Sequence, residues 1–370
     1  MTFPPLVAPV DALAADEAVR TARHRALPQV GDAGQRRLAA ARIAVVGAGG
    51  LGSPVVLALA AAGVGLLRII DDDVVELSNL QRQVIHDLHA VGTAKAESAS
   101  RRARALSGAI TVETAAERLD VGNAARLLAD CDLVIDGSDS FATRDAVDAA
   151  CAELGVPLVW GSVLAGFAQV TVFWAAPPAP AQGVRLADLF PPGTAGEPPN
   201  CASAGVLGPL CMQAGALMAT EAVKLVIGVG EPLLGRICII DAFGARQREI
   251  PLRSRPAALQ PSSAASRAPR ISAPALRREL AAGRVALLLD VREHDEFAGG
   301  CIDGAVNVPL DRVIEDTTLI EAASVVVVCE RGARAATAAD ALRATGVEAT
   351  VLDGGMAAWR AAARRPASVS

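Results

Sequence analysis

A short β-branched run that ends in glycine and passes directly into a helical stretch constrains this chain more than any other feature. Residues 42–47 (RIAVVG) read as a buried strand, and Gly47-Ala48-Gly49-Gly50-Leu51-Gly52 completes the turn. Proline is tolerated in a first helical turn, so Ser53 and Pro54 predict a helix start, with its end near Gly63. The next strand, 66–70 (LLRII), finishes at Asp71. Further strands are expected at 131–135, 156–160, 169–174 and 237–240, with helical stretches between several of them. Buried strands alternating with helices predict an α/β fold built on a largely parallel, doubly wound sheet.

The pattern breaks at 253–270 (RSRPAALQPSSAASRAPR), a Pro, Ser, Ala and Arg stretch without strand period that reads as a linker. It restarts with strands at 285–289 and 325–328 and a helix over 333–343. The expected organisation is a Rossmann-like domain at 1–252, a linker at 253–270 and a small α/β domain at 271–370. A second loose stretch, 175–200, lies inside the first domain and reads either as a functional loop or as a surface crossover.

Composition removes several function classes. Net charge is −5 and no basic block stands out, so nucleic acid is not an expected partner. The N-terminus lacks the charged region of a signal peptide, and the apolar run near 55–67 is broken by Gly63 and Gly65. It reads as a buried helix and turn, so no membrane span is expected and the protein is expected in the cytoplasm. Seven widely spaced cysteines, with no C-x-x-C pair, read as reduced thiols rather than a zinc knuckle or redox dithiol.

The glycine loop offers a tight turn, close backbone approach and free N–H groups to a phosphate. Asp71 stands where an acidic side chain can bind ribose hydroxyls. On these residues alone a nicotinamide cofactor stays open. Asp71-Asp72-Asp73-Val74-Val75-Glu76 then leads to Ser78-Asn79-Leu80-Gln81-Arg82-Gln83, with Lys95 beyond, and Asp136-Gly137-Ser138-Asp139-Ser140 follows the strand at 131–135. Two cations and a carboxylate beside a phosphate loop suit a triphosphate with Mg²⁺ better than a hydride carrier. Arg82 alone reads equally as a solvated arginine. Lys95 is less easily read so, because Lys224 is the only other lysine. Asp72, Asp73 and Glu76 read as turn and surface acids.

With these motifs in place, residues from about 20 to 252 resemble the MoeB/ThiF family, bacterial relatives of ubiquitin-activating enzymes. The matching pieces are GAGGLG, DDDVVELSNLQRQ, VGTAK, DGSDSFATR and NCASAGVLGPL. The resemblance implies adenylylation of the C-terminal glycine of a small ubiquitin-like sulfur carrier ending in Gly-Gly. It implies an ATP site of Gly47, Gly49, Gly50, Gly52, Asp71, Ser78, Asn79, Leu80, Gln81, Arg82, Lys95, Asp139 and Ser140, with Asp139 on Mg²⁺. Arg23 matches an arginine that reaches ATP from a partner subunit, which implies a homodimer. Cys201 matches an acceptor cysteine; by itself it reads as a small buried hydrophobe. Relatives often carry two C-x-x-C pairs for zinc. None is present here, so no structural zinc is expected and other contacts must hold that loop. Ser140 replaces a usual Asn, and Ala165 and Phe167 replace a usual Arg and Glu, which bears on the choice of carrier.

A second candidate site closes the strand at 325–328. Cys329-Glu330-Arg331-Gly332-Ala333-Arg334 precedes a helix, so backbone N–H groups and a helix N-terminus face the sulfur and favour a thiolate or persulfide. Arg331 and Arg334 add positive charge. With LLLDVREHDEF and LDGGMAAW, this segment resembles a single rhodanese domain over about 271–366. Asp290 and Arg292 then read as structural and His294 as an exposed loop residue. The fusion resembles the adenylyltransferase/sulfurtransferase branch. That implies Cys329 loaded by a cysteine desulfurase or by thiosulfate, and a carrier thiocarboxylate as product. The rival readings are a nicotinamide-dependent oxidoreductase and a non-catalytic carrier-binding scaffold.

Overall fold

The computed structural model describes residues 3–190, 205–253, 268–330 and 332–363. They form two compact units, residues 3–189 with 205–253, and residues 268–363. Cys201, most of the expected linker and Arg331 lie outside the described residues.

The first unit is an eight-stranded sheet in the order β3-β2-β1-β4-β5-β6-β7-β8. Its strands are β1 (Arg42–Val46), β2 (Leu66–Ile70), β3 (Thr111–Ala115), β4 (Leu133–Asp136), β5 (Leu158–Leu164), β6 (Phe167–Phe173), β7 (Arg236–Asp241) and β8 (Arg246–Pro251). The five from β3 to β5 are parallel and the last three pairings are antiparallel. The sequence reading missed this change of direction. β5 and β6 reach further towards each other than expected, leaving only Ala165 and Gly166 between them, too short for a parallel crossover. The parallel half carries the candidate site, because all its strands end on one edge.

Helix boundaries follow local chemistry. The helix Gly52–Ala62 stops at Gly63, whose φ of 85° is left-handed. Helix Phe141–Leu154 starts on Ser140, whose hydroxyl oxygen accepts from the Thr143 N–H at 3.5 Å. Helix Gly208–Ile227 is the one among the described residues long and apolar enough to cross a membrane. It runs through the core instead, so close to the Gly52–Ala62 helix that a Cβ on Gly215 would lie 2.3 Å from Pro54 Cγ.

The stretch after β6 is pinned by a buried carboxylate. Asp148 accepts the Leu186 N–H at 3.1 Å and two bonds from the Arg185 guanidinium at 3.1 and 2.7 Å. Trp174 and Val184 exchange backbone bonds beside it.

The second unit is a parallel five-stranded sheet, order β11-β10-β12-β13-β9. It comprises β9 (Arg270–Ile271), β10 (Leu288–Asp290), β11 (Ala305–Asn307), β12 (Ser324–Val328) and β13 (Glu348–Leu352). The strand expected at 285–289 is shifted towards Asp290, because β10 pairs with both neighbours only over Leu288–Asp290.

Removing the Asp148 carboxylate strands the Leu186 N–H in a buried place. Asp148→Ala should cost about 1–3 kcal/mol and speed proteolysis near 184–189, read by urea unfolding and limited digestion.

Candidate active site

The phosphate loop is set by sterics. Gly47 sits at φ 88°, and a Cβ at Gly52 would lie 1.8 Å from the Gly47 carbonyl oxygen, so neither position takes a side chain. The Ala48 backbone between them is fixed from both sides. Its N–H donates to Asp71 Oδ2 at 2.7 Å. Its carbonyl oxygen lies 3.1 Å from His86 Nε2 and accepts from Ser53 Oγ at 3.3 Å. His86 is buried, and burial lowers its pKa, so the ring is neutral. Nε2 then carries the proton to Ala48, and Nδ1, 2.9 Å from Ser98 Oγ, accepts.

One cleft runs over this loop. It is lined by Gly47, Gly49, Gly50, Asp71, Arg82, Lys95, Asp139 and Ser140, so the structure gathers eight of the sequence-predicted residues. Lys95 Nζ donates to Asp73 Oδ2 at 2.8 Å; the lysine is 8% exposed and the aspartate 67%. Arg82 Nη1 donates to the Ser78 carbonyl at 3.2 Å, which holds its side chain along the loop. Asp139 is exposed. Asp71 spends one lone pair of each oxygen on the Ala48 and Asp73 N–H groups and keeps the others for a ligand. Burial raises its pKa in spite of these bonds and of Lys95.

Six predicted residues are not on the wall of the cleft. Gly52 starts the helix behind the loop. Ser78, Asn79, Leu80 and Gln81 form and follow a short turn in which Asn79 Oδ1 accepts the Glu76 N–H at 3.2 Å. Of these, Ser78 holds the Arg82 side chain through its carbonyl. Arg23 is exposed and distant. Its neighbour His24 bonds Gln35, which donates to the Ala62 carbonyl at 2.7 Å. That end of the Gly52–Ala62 helix lies about 16 Å from the loop.

The cleft also contains residues the sequence reading passed over. Gln83 is buried and lines it, with Oε1 lacking a hydrogen-bond partner. Asp136 is fully buried beneath it; its Oδ1 accepts the Ser138 N–H at 2.8 Å and burial raises its pKa. Arg144 donates twice to the Ser138 carbonyl, at 3.1 and 2.8 Å, and lies over the Phe141 and Trp160 rings. These two residues shape the turn that presents Asp139. Glu117, Arg118 and Leu119, after β3, close the far end. Only the spacing Asp136, Asp139, Arg144 within DGSDSFATR hinted at any of this.

In the second unit Cys329 is buried at the end of β12, and the Gly332 N–H donates to its sulfur at 3.0 Å. Gly332, at φ 103°, caps the helix Ala333–Ala344, so the sulfur faces a helix N-terminus. The loop is backed by Gly355, where a Cβ would lie 2.3 Å from the Cys329 carbonyl oxygen. Arg334 does not supply the free positive charge expected of it. Its guanidinium makes two bonds to Glu296, at 2.6 and 2.7 Å, which hold that carboxyl down at about 2. Glu330 is held by Arg360 at 2.8 and 2.9 Å, and Arg292 lies buried on Asp290. Asp290 and Arg292 are thus structural, as expected, and exposed His294 lies 2.6 Å from Asn307 Oδ1.

Residues 21–261 match the ThiF family and residues 272–362 the rhodanese-like domain. The chain is 40% identical to the probable adenylyltransferase/sulfurtransferase MoeZ of Mycobacterium tuberculosis, over 97% of this chain and 96% of that protein. It is 44% identical to the sulfur carrier protein adenylyltransferase of Thermus thermophilus, over 65% of this chain and 89% of that protein. Its fold is shared with E. coli MccB crystallised with AMPCPP and MccA. That match has a TM-score of 0.57 and 21% identity, and covers 67% of this chain and 74% of that one.

The low pKa of Glu296 fixes a pH dependence. The bond to Arg334 stabilises the fold above the ordinary carboxylate value of 4.5 and is lost as pH falls towards about 2. Glu296→Gln should lower the melting temperature at pH 7, and the gap to the parent should close over that window in a melting series.

Proposed function

The chain belongs to the ThiF family and carries a rhodanese-like domain, and on that premise we propose its reaction and the residues that perform it. It is an adenylyltransferase and sulfurtransferase: it uses ATP to activate the C-terminal carboxylate of a small sulfur-carrier protein and then transfers sulfur to it. The observation that carries this reading is the convergence of Arg82, Lys95 and Asp139 on the cleft at Gly47–Gly50. Two cations over a nest of backbone N–H groups stabilise charge developing on phosphoryl oxygens; hydride transfer uses no such group. The nicotinamide alternative therefore lacks support.

In the proposed first step the carrier carboxylate attacks the α-phosphorus of ATP and pyrophosphate leaves. Lys95 exchanges the exposed Asp73 for the phosphates, and Arg82 lies beside it. Asp139 is one exposed carboxylate, and no group of three metal-ligating side chains occurs among the described residues. That fits a Mg²⁺ ion carried in by the nucleotide and held by one carboxylate plus phosphate oxygens. When bound, it supplies charge neutralisation for the leaving pyrophosphate.

In the second step Cys329, loaded as a persulfide by a desulfurase or by thiosulfate, attacks the acyl-adenylate carbonyl and AMP leaves. Cys201 then attacks Cys329 of the acyl disulfide. Carrier thiocarboxylate is released, and a Cys201–Cys329 disulfide is left for cellular thiols to reduce. The domain limits that serve this division are 1–252, 253–270 and 271–370; β8 ends at Pro251 and β9 begins at Arg270.

Arg23 supports a homodimer with shared sites. It lies near the end of the Gly52–Ala62 helix away from its own loop, so the role proposed for it is in a partner's cleft. Arg23→Ala and Lys95→Ala should each lower ATP–pyrophosphate exchange, Lys95→Ala by about 10²–10³. Mixing the two should restore roughly a quarter of wild-type activity, because half the randomly paired dimers hold one intact site. No recovery on mixing would exclude shared sites.

Exchange with a panel of carriers ending in Gly-Gly tests the main reading. One carrier should support it, and none doing so would leave a binding scaffold. Cys329→Ala should abolish thiocarboxylate formation while exchange continues.

A further inference from the structure

We infer that Gln35 and Arg20 are positioning residues: they seat the segment carrying Arg23 on the far end of the phosphate-loop helix and so aim Arg23 at a partner's cleft. The inference rests on the shared-site reading, and it names the contacts that hold the arginine out.

The helix Gly52–Ala62 begins at the phosphate loop, where Ser53 Oγ donates to the Ala48 carbonyl. Its other end needs outside donors, because the last carbonyls of a helix have no partner within it. The N-terminal segment supplies them. Arg20 Nη1 donates to the Ala61 carbonyl at 2.6 Å, and Nη2 to that of Ala60 at 3.4 Å. Gln35, fully buried in the helix Gly31–Ala40, donates from Nε2 to the Ala62 carbonyl at 2.7 Å. Its Oε1 lies 2.9 Å from His24 Nδ1. An amide oxygen only accepts, so Nδ1 carries the proton. Gly63 leaves room for this grip: a Cβ there would lie 2.5 Å from Glu17 Oε1 and 2.7 Å from Gln35 Nε2.

Arg23 thus has a fastened residue on each side, Arg20 before it and His24 directly after it. The segment is tied elsewhere too. Buried Glu17 accepts from Arg20 Nε at 2.8 Å, Thr21 Oγ1 donates to the Glu17 carbonyl at 2.7 Å, and Arg25 pairs with Asp32 at 3.3 Å. Of the three arginines in residues 15–25, Arg23 alone makes no hydrogen bond or ion pair among the described residues, and it is exposed. A buried polar network with every group satisfied rigidifies what it joins. The result is a free guanidinium on a fixed backbone, for which meeting an anion costs little ordering. One helix therefore serves two sites. Its start shapes the phosphate loop of its own protomer, and its end carries the arginine lent to the partner.

The test uses the full chain, ATP–pyrophosphate exchange and the carrier that supports it with the parent enzyme. Gln35→Leu keeps the volume and removes both bonds, and should lower exchange roughly ten- to a hundredfold. Mixed with Lys95→Ala it should recover activity, because one site of the mixed dimer then holds an intact loop and a well-placed Arg23. Mixed with Arg23→Ala it should stay low. The reverse pattern would put the defect in the variant's own phosphate loop and overturn the inference. So would parent-level exchange by Gln35→Leu, or recovery with both partners or with neither, which would assign Gln35 to stability alone. If Gln35→Leu fails to fold, the half-exposed His24 carries the test. His24→Ala should show the same mixing pattern, and His24→Asn, whose Nδ2 can take the place of Nδ1, should exchange like the parent. Equal exchange by both His24 variants rejects the positioning role. The control mix of Arg23→Ala with Lys95→Ala separates the two readings: without recovery there, the shared sites fail and the positioning role with them. A parent enzyme that exchanges with no carrier would end the adenylylation reading and this inference together.

Discussion

The backbone of Ala48 is the point on which the nucleotide cleft depends. Its N–H is taken by Asp71 and its carbonyl by His86 and Ser53. Three elements meet there: the end of β2, the segment before the Lys95–Leu106 helix, and the first turn of Gly52–Ala62. Because the Ala48 N–H and carbonyl, in two successive peptide units, are both satisfied, and the Gly47 N–H donates to the Ile70 carbonyl at 2.8 Å, the loop is ordered before any substrate arrives. The neutral state of His86 belongs to this device. Protonation would force Nδ1 to donate where it now accepts from Ser98, inside a site that already holds Lys95.

Both candidate sites use the same construction. A parallel strand ends, a short glycine-containing loop turns the chain, and a helix begins with its unpaired N–H groups facing the reacting atom. The loop length selects the chemistry. In the first unit several residues leave room for phosphates. In the second, Cys329 and Gly332 are three residues apart and the cradle closes to 3.0 Å around one sulfur.

Much of this was legible in the sequence because it rests on backbone requirements. Gly47–Gly52, Gly63 and the Val325–Cys329 run are demanded by conformation, and a linear reading captures them. Arg82, Lys95 and Asp139 were legible through spacing, since parallel strands carry their ends to one edge. The reversal at β5–β6 was not, because a two-residue turn at Ala165–Gly166 carries no strong turn signal and both strands were read short. Asp136, Arg144 and His86 escaped for another reason. Their work follows from burial against partners remote in sequence, as when His86 reaches Ala48, and no periodicity encodes that. Arg334 shows the limit most directly. Charge near a loop was read correctly, but its neutralisation by Glu296, 38 residues away, appears only once the chain is folded.

The two sites treat their cations differently, and exposure separates them. Lys95 is buried but its partner Asp73 is 67% exposed, so water readily replaces the lysine and an incoming phosphate competes for it. That ion pair is a holding contact. In the second unit Arg292 and Asp290 are each 1% exposed, and neither charge can be released without stranding the other. Arg334 is fastened to a carboxylate that stays ionised down to about pH 2. These pairs give the loop its shape, and among the described residues the Gly332 N–H donates to the sulfur. The first site thus keeps charge in reserve for a polyanionic substrate. The second spends its charge on geometry, which suits a group that must accept sulfur and pass it on without holding the donor.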